Sequence, residues 1–439
     1  MPTIAIRRLS GIVLAAAAFG AIPASLAAQP RTAYPEKRGL KLTDFPRLVK
    51  LADNVYGYEE IRNPGMTTVS MIVIGKNGVL IADGQGSAAA TQTMLDHVRT
   101  LTPLPVKWYV VGSDHGDHTG GNAVLPRDIT YVVSRTSREQ LLRDSAAAAA
   151  PARGGAGGRG GAPRTVIVPP VAMTGDEQTI DVGGETVRIM FIGRAHTGGD
   201  LVTYLPREKI LFMSEVYLNR VFPAMRSAYP SEWVAAVDKA LAMDVNRYIP
   251  GHGFIEEPAA SREELVTYRK ALVDVIAEVK RLHGLGLTAD AAAKQANWGE
   301  YKDWMLADQQ GPIAVRKVYE EIEGKLPAAA TAPGATTPDV TGKWTMSVQS
   351  EAGSGTPTVT FRQAGDSLTG HYSSSALGEH DFTGSITDGR ITFTVNAEVG
   401  GQQFAMYFSG TLDAPDAMSG SIDFGGYGSG TFTARRQKP

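Results

Sequence analysis

The chain of 439 residues contains no cysteine. That absence excludes a disulfide framework and removes thiolate from any metal-ligand set. Stability then rests on an apolar core, and metal chemistry on His, Asp and Glu. An excess of one charge is also lacking, with 43 Lys and Arg against 45 Asp and Glu. The missing basic surplus argues against nucleic acid as the main partner. Histidine is scarce at eight residues, so any cluster of them carries information. Beyond the N-terminus no segment is long and apolar enough to read as a membrane span.

At the N-terminus, Arg7 and Arg8 precede an apolar run from Ile12 to Ile22, and Ser25 and Ala27 stand at the spacing signal peptidase prefers. Residues 1–28 therefore read as a secretory signal, cleaved after Ala27 or Ala28. The apolar run is shorter than the ~20 residues a span requires. The expectation is an exported protein, periplasmic or extracellular, with no membrane insertion after cleavage.

The length predicts two folded units with connecting segments. Residues 29–50 read as a surface-tracing lead-in. Strand-like runs at 55–58, 67–74 and 79–82 follow, and Asn77-Gly78 marks a hairpin between the last two. Helical spacing of Met94, Leu95 and Val98 predicts a helix over 88–100. Strands at 108–111 and 129–133 and a short helix over 137–144 continue an α/β alternation. Residues 145–163 are almost wholly Ala, Gly, Pro and Arg and read as a disordered, exposed insertion. Strands resume at 165–168, 178–182, 187–192, 201–205 and 210–213, then a helix at 231–243 and a strand at 247–249. Ser261 with Glu264 reads as a capping box for a helix to about His283, and further helices reach 325. The first unit thus spans 29–325.

Residues 326–338, rich in Ala, Pro and Thr, read as a linker. Over 339–439 the pattern changes to period two, as in Trp344, Met346 and Val348 or Phe404, Met406 and Phe408. Ser/Thr-Gly pairs recur at Gly370, Gly384, Gly410, Gly420 and Gly430. About eight short strands predict a small antiparallel barrel or sandwich. His371 and His380 there read as surface histidines. Binding to a surface, a glycan or a second subunit are the roles left open for this domain.

Four of the eight histidines sit in three glycine-flanked motifs, each directly after a predicted strand. The first is Ser113-Asp114-His115-Gly116-Asp117-His118-Thr119-Gly120-Gly121, the second Ala195-His196-Thr197-Gly198-Gly199-Asp200, the third Pro250-Gly251-His252-Gly253. Histidines at strand ends of one sheet converge in space though distant in sequence. Zinc takes about four N, O or S ligands, and a catalytic site keeps one position for water, whose pKa falls to roughly 7.

This ordered set resembles the metallo-β-lactamase fold superfamily of metallohydrolases, over roughly residues 50–255 with the following helices as an extension. The resemblance implies an αββα sandwich with metals at one edge, and hydrolysis of an ester, lactone, thioester, amide or phosphodiester. It implies His115 and His196 for a first metal, Asp117, His118 and His252 for a second, and Glu215 as the bridging acid where Asp is usual. Asp83 matches the acid that supports the metal loops from behind. Ser113 stands where the family's first histidine belongs, which weakens the first position. One tightly held zinc is expected on the Asp117 side, with room for a second. Ser113 and Asp117 are the candidate catalytic groups, the serine bonding to attacking water or substrate and the carboxylate orienting the hydroxide. The reading is an exported zinc-dependent hydrolase, using metal-bound hydroxide against a small-molecule ester, lactone, thioester or β-lactam carbonyl. The alternative is a catalytically impaired binding protein of the same fold.

Overall fold

A computed structural model describes residues 30–62, 65–149, 165–327 and 339–437, apart from 351–352, 366, 388, 400–401 and 425–427. The expected signal at 1–28, residues 150–163 of the insertion and nearly all of the linker lie outside the described residues.

Sheet one runs in the order β1 (Arg47–Ala52), β2 (Val55–Arg62), β3 (Met66–Gly75), β4 (Gly78–Ala82), β5 (Val106–Val110), β6 (Thr130–Val132). The first four pair antiparallel, and β4, β5 and β6 are parallel. The crossover from β4 to β5 is α1 (Ala88–Leu101), whose Ser87 side chain accepts from Ala90 N–H at 3.2 Å. A single turn, α2 (Gly116–Thr119), follows β5, and α3 (Arg135–Ala149) follows β6.

Sheet two comprises β7 (Glu177–Asp181), β8 (Thr186–Met190), β9 (Val202–Leu205), β10 (Ile210–Phe212) and β11 (Arg247–Ile249), in the order β11-β10-β9-β8-β7. Only β10 and β11 pair parallel, joined through α4 (Pro230–Ala242). Three helices complete this side: α5 (Pro258–Gly284), α6 (Ala289–Gln295) and α7 (Ala307–Ile322).

Strands buried on both faces read as continuous apolar runs, and each face then has its own partner. Val69, Met71 and Val73 of β3 pack toward Val187, Ile189 and Phe212 of sheet two. Ile72, pointing the other way, joins Met94, Leu95 and Val98 of α1. The outer face of sheet two buries Val202, Tyr204 and Leu211 against Trp233, Leu272 and Val315 of the helices. Helix, sheet, sheet and helix thus stack as the expected αββα sandwich. No helix among the described residues is long and apolar enough to cross a membrane.

The second domain is a barrel rather than a sandwich. Its strands are β12 (Gly342–Ser350), β13 (Gly353–Gly355), β14 (Thr358–Ala364), β15 (Ser367–Ser374), β16 (Gly378–Thr387), β17 (Arg390–Val399), β18 (Gln402–Ala414), β19 (Ala417–Asp423) and β20 (Ser429–Arg436). β12 pairs with both β14 and β20, which closes eight strands into a ring and leaves β13 as a short flap. Closure removes free edges, a physical advantage over a two-sheet sandwich of this size.

Four local expectations differ from the structure. The lead-in contributes strand β1, an edge strand on β2, and Ala33 is buried among the helices. Residues 165–168 pair with no strand, although Val168 is buried. α3 extends to Ala149, taking in the first alanines assigned to the insertion. α5 begins at Pro258, not near Ser261, because the capping atoms have tertiary partners: Ser261 Oγ accepts from Tyr248 N–H, and Glu264 pairs with Arg220.

Candidate metal centre

β4 and β5 run parallel, and β8, β10 and β11 also share one direction, because two antiparallel steps through β9 restore it. The C-terminal ends of these five strands meet at one edge of the sandwich. Asp83 follows β4, the Ser113–His118 loop follows β5, His196 follows β8, Glu215 follows β10, and His252 follows β11.

Two donor sets form there. In the first, His115 Nδ1, His196 Nε2 and Glu215 Oε2 are mutually 3.0 Å apart. In the second, His252 Nε2 lies 3.1 Å from Asp117 Oδ2, 3.1 Å from Glu215 Oε1 and 3.3 Å from His118 Nε2. His118 Nε2 stands farther from the two acids, at 4.0 Å from Asp117 and 3.7 Å from Glu215. Four ligands about 2.0–2.1 Å from zinc at tetrahedral corners stand roughly 3.3–3.4 Å from one another. The donor set therefore fits a zinc-sized ion in type and spacing. Glu215 belongs to both sets and turns one oxygen to each.

Ser113 is fully buried, and its hydroxyl donates to Glu215 Oε2 at 2.7 Å. A neutral hydroxyl thus stands beside the shared oxygen where the family pattern has an imidazole. Asp114 lies outside both sets, and burial, with Asp200 and Glu215 adding to it, pushes its carboxyl up to about 7.

Supporting contacts aim the ligand atoms. Asp83 Oδ1 accepts from Gly112 N–H at 2.7 Å, while Oδ2 lies 3.0 Å from His118 Nδ1 and accepts from the Ser214 hydroxyl. Thr67 C=O is 2.7 Å from His252 Nδ1, which leaves Nε2 for the centre. His196 packs edge-on against Trp233 at 5.3 Å, and Asp200 holds its loop by accepting from Thr197 N–H at 2.6 Å. Asp83 and Ser214 both sit in the left-handed region, at φ 60 and 48, a strain of about 1–3 kcal/mol each that the surrounding bonds hold.

Electrostatics match the geometry. Burial alone would raise the Glu215 carboxyl, yet the imidazoles of His196 and His115 hold it well below the usual range. Asp117 is likewise lowered against burial and the Glu215 charge, by His252 and His118. Burial opposes protonation of His115, but Glu215 carries its pKa up to about 9. Burial also opposes protonation of His118, whose pKa Asp83 lifts well above the ordinary value. The shifts of Glu215, Asp117, His115 and His118 all favour the charged forms, so imidazolium charge answers carboxylate charge where a bound cation would otherwise do so.

Every histidine and acid assigned to the two positions from sequence is found in one of the two sets. Sequence reasoning missed Arg62, whose Nη2 is 2.8 Å from Asp117 Oδ2. A lone arginine at a strand end carries no motif, so no sequence signal marks it. It is 36 % exposed, with Asp117 at 17 % and His115 at 28 %, and these three residues form the solvent-facing side.

The Metallo-beta-lactamase superfamily profile matches residues 62–252, the stretch that carries this centre. Over this stretch the chain is similar to the metallo-beta-lactamase superfamily. A metallo-beta-lactamase type 2 of Bacteroides fragilis is 24% identical over 226 residues, covering 49% of this chain and 83% of that protein. A stereoselective inverting sec-alkylsulfatase from Pseudomonas sp. superposes with TM-score 0.50 at 16% identity, over 66% of this chain and 52% of that one. A double mutant of a sec-alkyl sulfatase gives 0.51 at 17%, over 64% and 51%. The chain spans about half the length of these sulfatase structures, which share the fold at low identity. Members of the superfamily are mostly hydrolases, and the relatives found here are a lactamase and sulfatases.

Proposed function

We propose that the chain is an exported, zinc-dependent hydrolase of small molecules bearing an ester, lactone, thioester or β-lactam carbonyl. The observation that carries this reading is Glu215 with one oxygen in each of two donor sets. When bound, zinc supplies a Lewis acid and a water acidified to near neutrality. Asp117 and His118 with His252 make the fuller set and would hold the tighter ion. His115, His196 and Glu215 would hold a second, weaker one.

The remaining work falls to the chain's own groups. Ser113 donates to Glu215 Oε2, fixing the carboxylate plane so that each oxygen keeps its set. Asp117, partly exposed, can orient a water proton at the mouth through Oδ1 while Oδ2 serves the centre. Asp83 holds the His118 ring against rotation. The cluster opens to solvent along His115, Asp117 and Arg62, which admits a substrate from one side.

The test pairs metal analysis of the mature protein with hydrolysis of an ester, lactone, thioester and β-lactam panel. The expected result is at least one zinc per chain and turnover of one class, lost in His118→Ala. A protein with no zinc, or turnover unchanged in that variant, overturns the proposal. Zinc without turnover of any class favours the impaired binding protein instead.

A further inference from the structure

Arg62 ends β2, paired across the hairpin with Met66, and this places its guanidinium over the mouth of the centre. Its Nη2 lies 2.8 Å from Asp117 Oδ2, the same oxygen that stands 3.1 Å from His252 Nε2. Among the described residues, no other Lys or Arg forms an ion pair with a member of either donor set. One divalent ion balances Asp117 and Glu215, and Arg62 then leaves positive charge at the opening. Guanidinium offers five donors in a planar fork, of which the Asp117 contact takes one. Nε is buried with no hydrogen-bond partner, and the side chain as a whole is about one-third exposed. Among the described residues no acceptor pairs with Nε, and the exposed third of the side chain lies on the solvent-facing side of the centre, where a bound anion could meet the guanidinium.

We infer that Arg62 is a specificity-determining residue that seats an oxyanion, a carboxylate or sulfate, carried by the substrate next to its scissile bond. A planar fork suits such groups, forming two parallel charge-assisted hydrogen bonds. The inference rests on the hydrolase reading and narrows its substrate class to anionic compounds. Seating the anion at Arg62 holds the rest of the molecule within reach of the two donor sets, since Arg62 touches one of their oxygens. Lysine would keep the charge but lose the fork.

The experiment uses matched p-nitrophenyl esters of equal length, one ending in a carboxylate and one in the primary amide, with zinc-loaded wild type, Arg62→Gln and Arg62→Lys. Wild type is expected to prefer the carboxylate. Arg62→Gln lowers that preference about tenfold or more, mainly through KM, and Arg62→Lys keeps part of it. Zinc content by atomic emission stays at the wild-type value in both variants. The inference is overturned if wild type shows no preference, if the two esters lose rate in parallel, or if zinc is lost on substitution. Should wild type cleave neither ester, the hydrolase reading for esters fails separately. Sulfate binding to the zinc-loaded protein by calorimetry then decides this inference, sustained by binding lost in Arg62→Gln and overturned by no binding or by equal binding.

Discussion

Ser113 is where this centre departs most from the superfamily pattern it resembles, and the departure has a measurable size. Its hydroxyl stabilises the Glu215 carboxylate by a hydrogen bond but supplies no strong ligand. Ser113→His would place a third imidazole beside His115 and His196. The expected outcome is a first-set zinc tightened by about tenfold or more, read by chelator competition with a colorimetric zinc indicator. Unchanged affinity would mean that the loop does not admit the ring. A second residue-scale consequence lies far from the centre. Glu185 is buried beside Glu208, the two acids sharing Arg207, and burial, followed by the side-chain hydrogen bond with Glu208 and then the Glu208 charge, pushes its carboxyl up to about 7. The folded value exceeds the unfolded 4.5, so the folded chain holds this proton more tightly. The associated stability is fully present below the unfolded value and is lost as pH rises toward 7. Glu185→Gln removes that dependence, and urea midpoints at pH 5 and 8 should differ less in the variant than in wild type.

At the scale of elements, the loops after β4, β5 and β10 interlock through atoms that leave no room. A Cβ at Gly112 would meet the Ser214 Oγ and Asp83 Oδ1. Gly112→Ala is therefore expected to cost about 1–3 kcal/mol through overpacking, and to weaken zinc binding because Asp83 positions His118. Thermal midpoints with and without chelator would separate the two effects. A variant as stable and as zinc-competent as wild type would disprove the interlock. The same loops show what a sequence makes legible. His115, His118, His196 and His252 stand out because strand ends, glycines and imidazoles coincide, and the αββα layers follow from strands such as β3 that are apolar on both faces. Edge strand β1 was hidden, since Arg47-Leu48-Val49-Lys50 buries little and reads as polar coil. Ser261 and Glu264 carry a helix-start pattern, but partners distant in sequence, Tyr248 and Arg220, claim their polar atoms. Arg62 became visible only once the hairpin brought a strand end over Asp117. Local pattern reports what neighbours in sequence dictate, and these four positions are decided by neighbours in space.

At the scale of the whole molecule, the two folds have separate cores. The barrel cluster from Val340 to Ala434 contains no residue of the sandwich, and the sandwich clusters contain none of the barrel. The recurrent Ser/Thr-Gly pairs explain how so small a ring closes. Gly370, Gly384 and Gly420 stand opposite Phe382, Phe393 and Phe432; the Phe382 and Phe432 rings cover the positions where a Cβ would sit at Gly370 and Gly420, and at Gly384 the Thr392 carbonyl and the Phe393 Cβ do so. Phe393 stacks on Phe408 at 4.3 Å and touches Phe361 and Phe382, so its removal empties the barrel's centre. Among the described residues, hydrogen bonds between the folds include Thr394 Oγ1 donating to Pro170 C=O at 3.1 Å and Ser145 Oγ donating to Asp423 Oδ2 at 3.4 Å. Two separate cores predict two unfolding transitions in a calorimeter. Metal binds only the folded sandwich, so chelation should lower one transition and leave the other in place. Phe393→Ala should do the reverse, costing the barrel about 3–5 kcal/mol without changing zinc content or the response to chelator. A single transition that both treatments move together would show that sandwich and barrel fold as one cooperative unit.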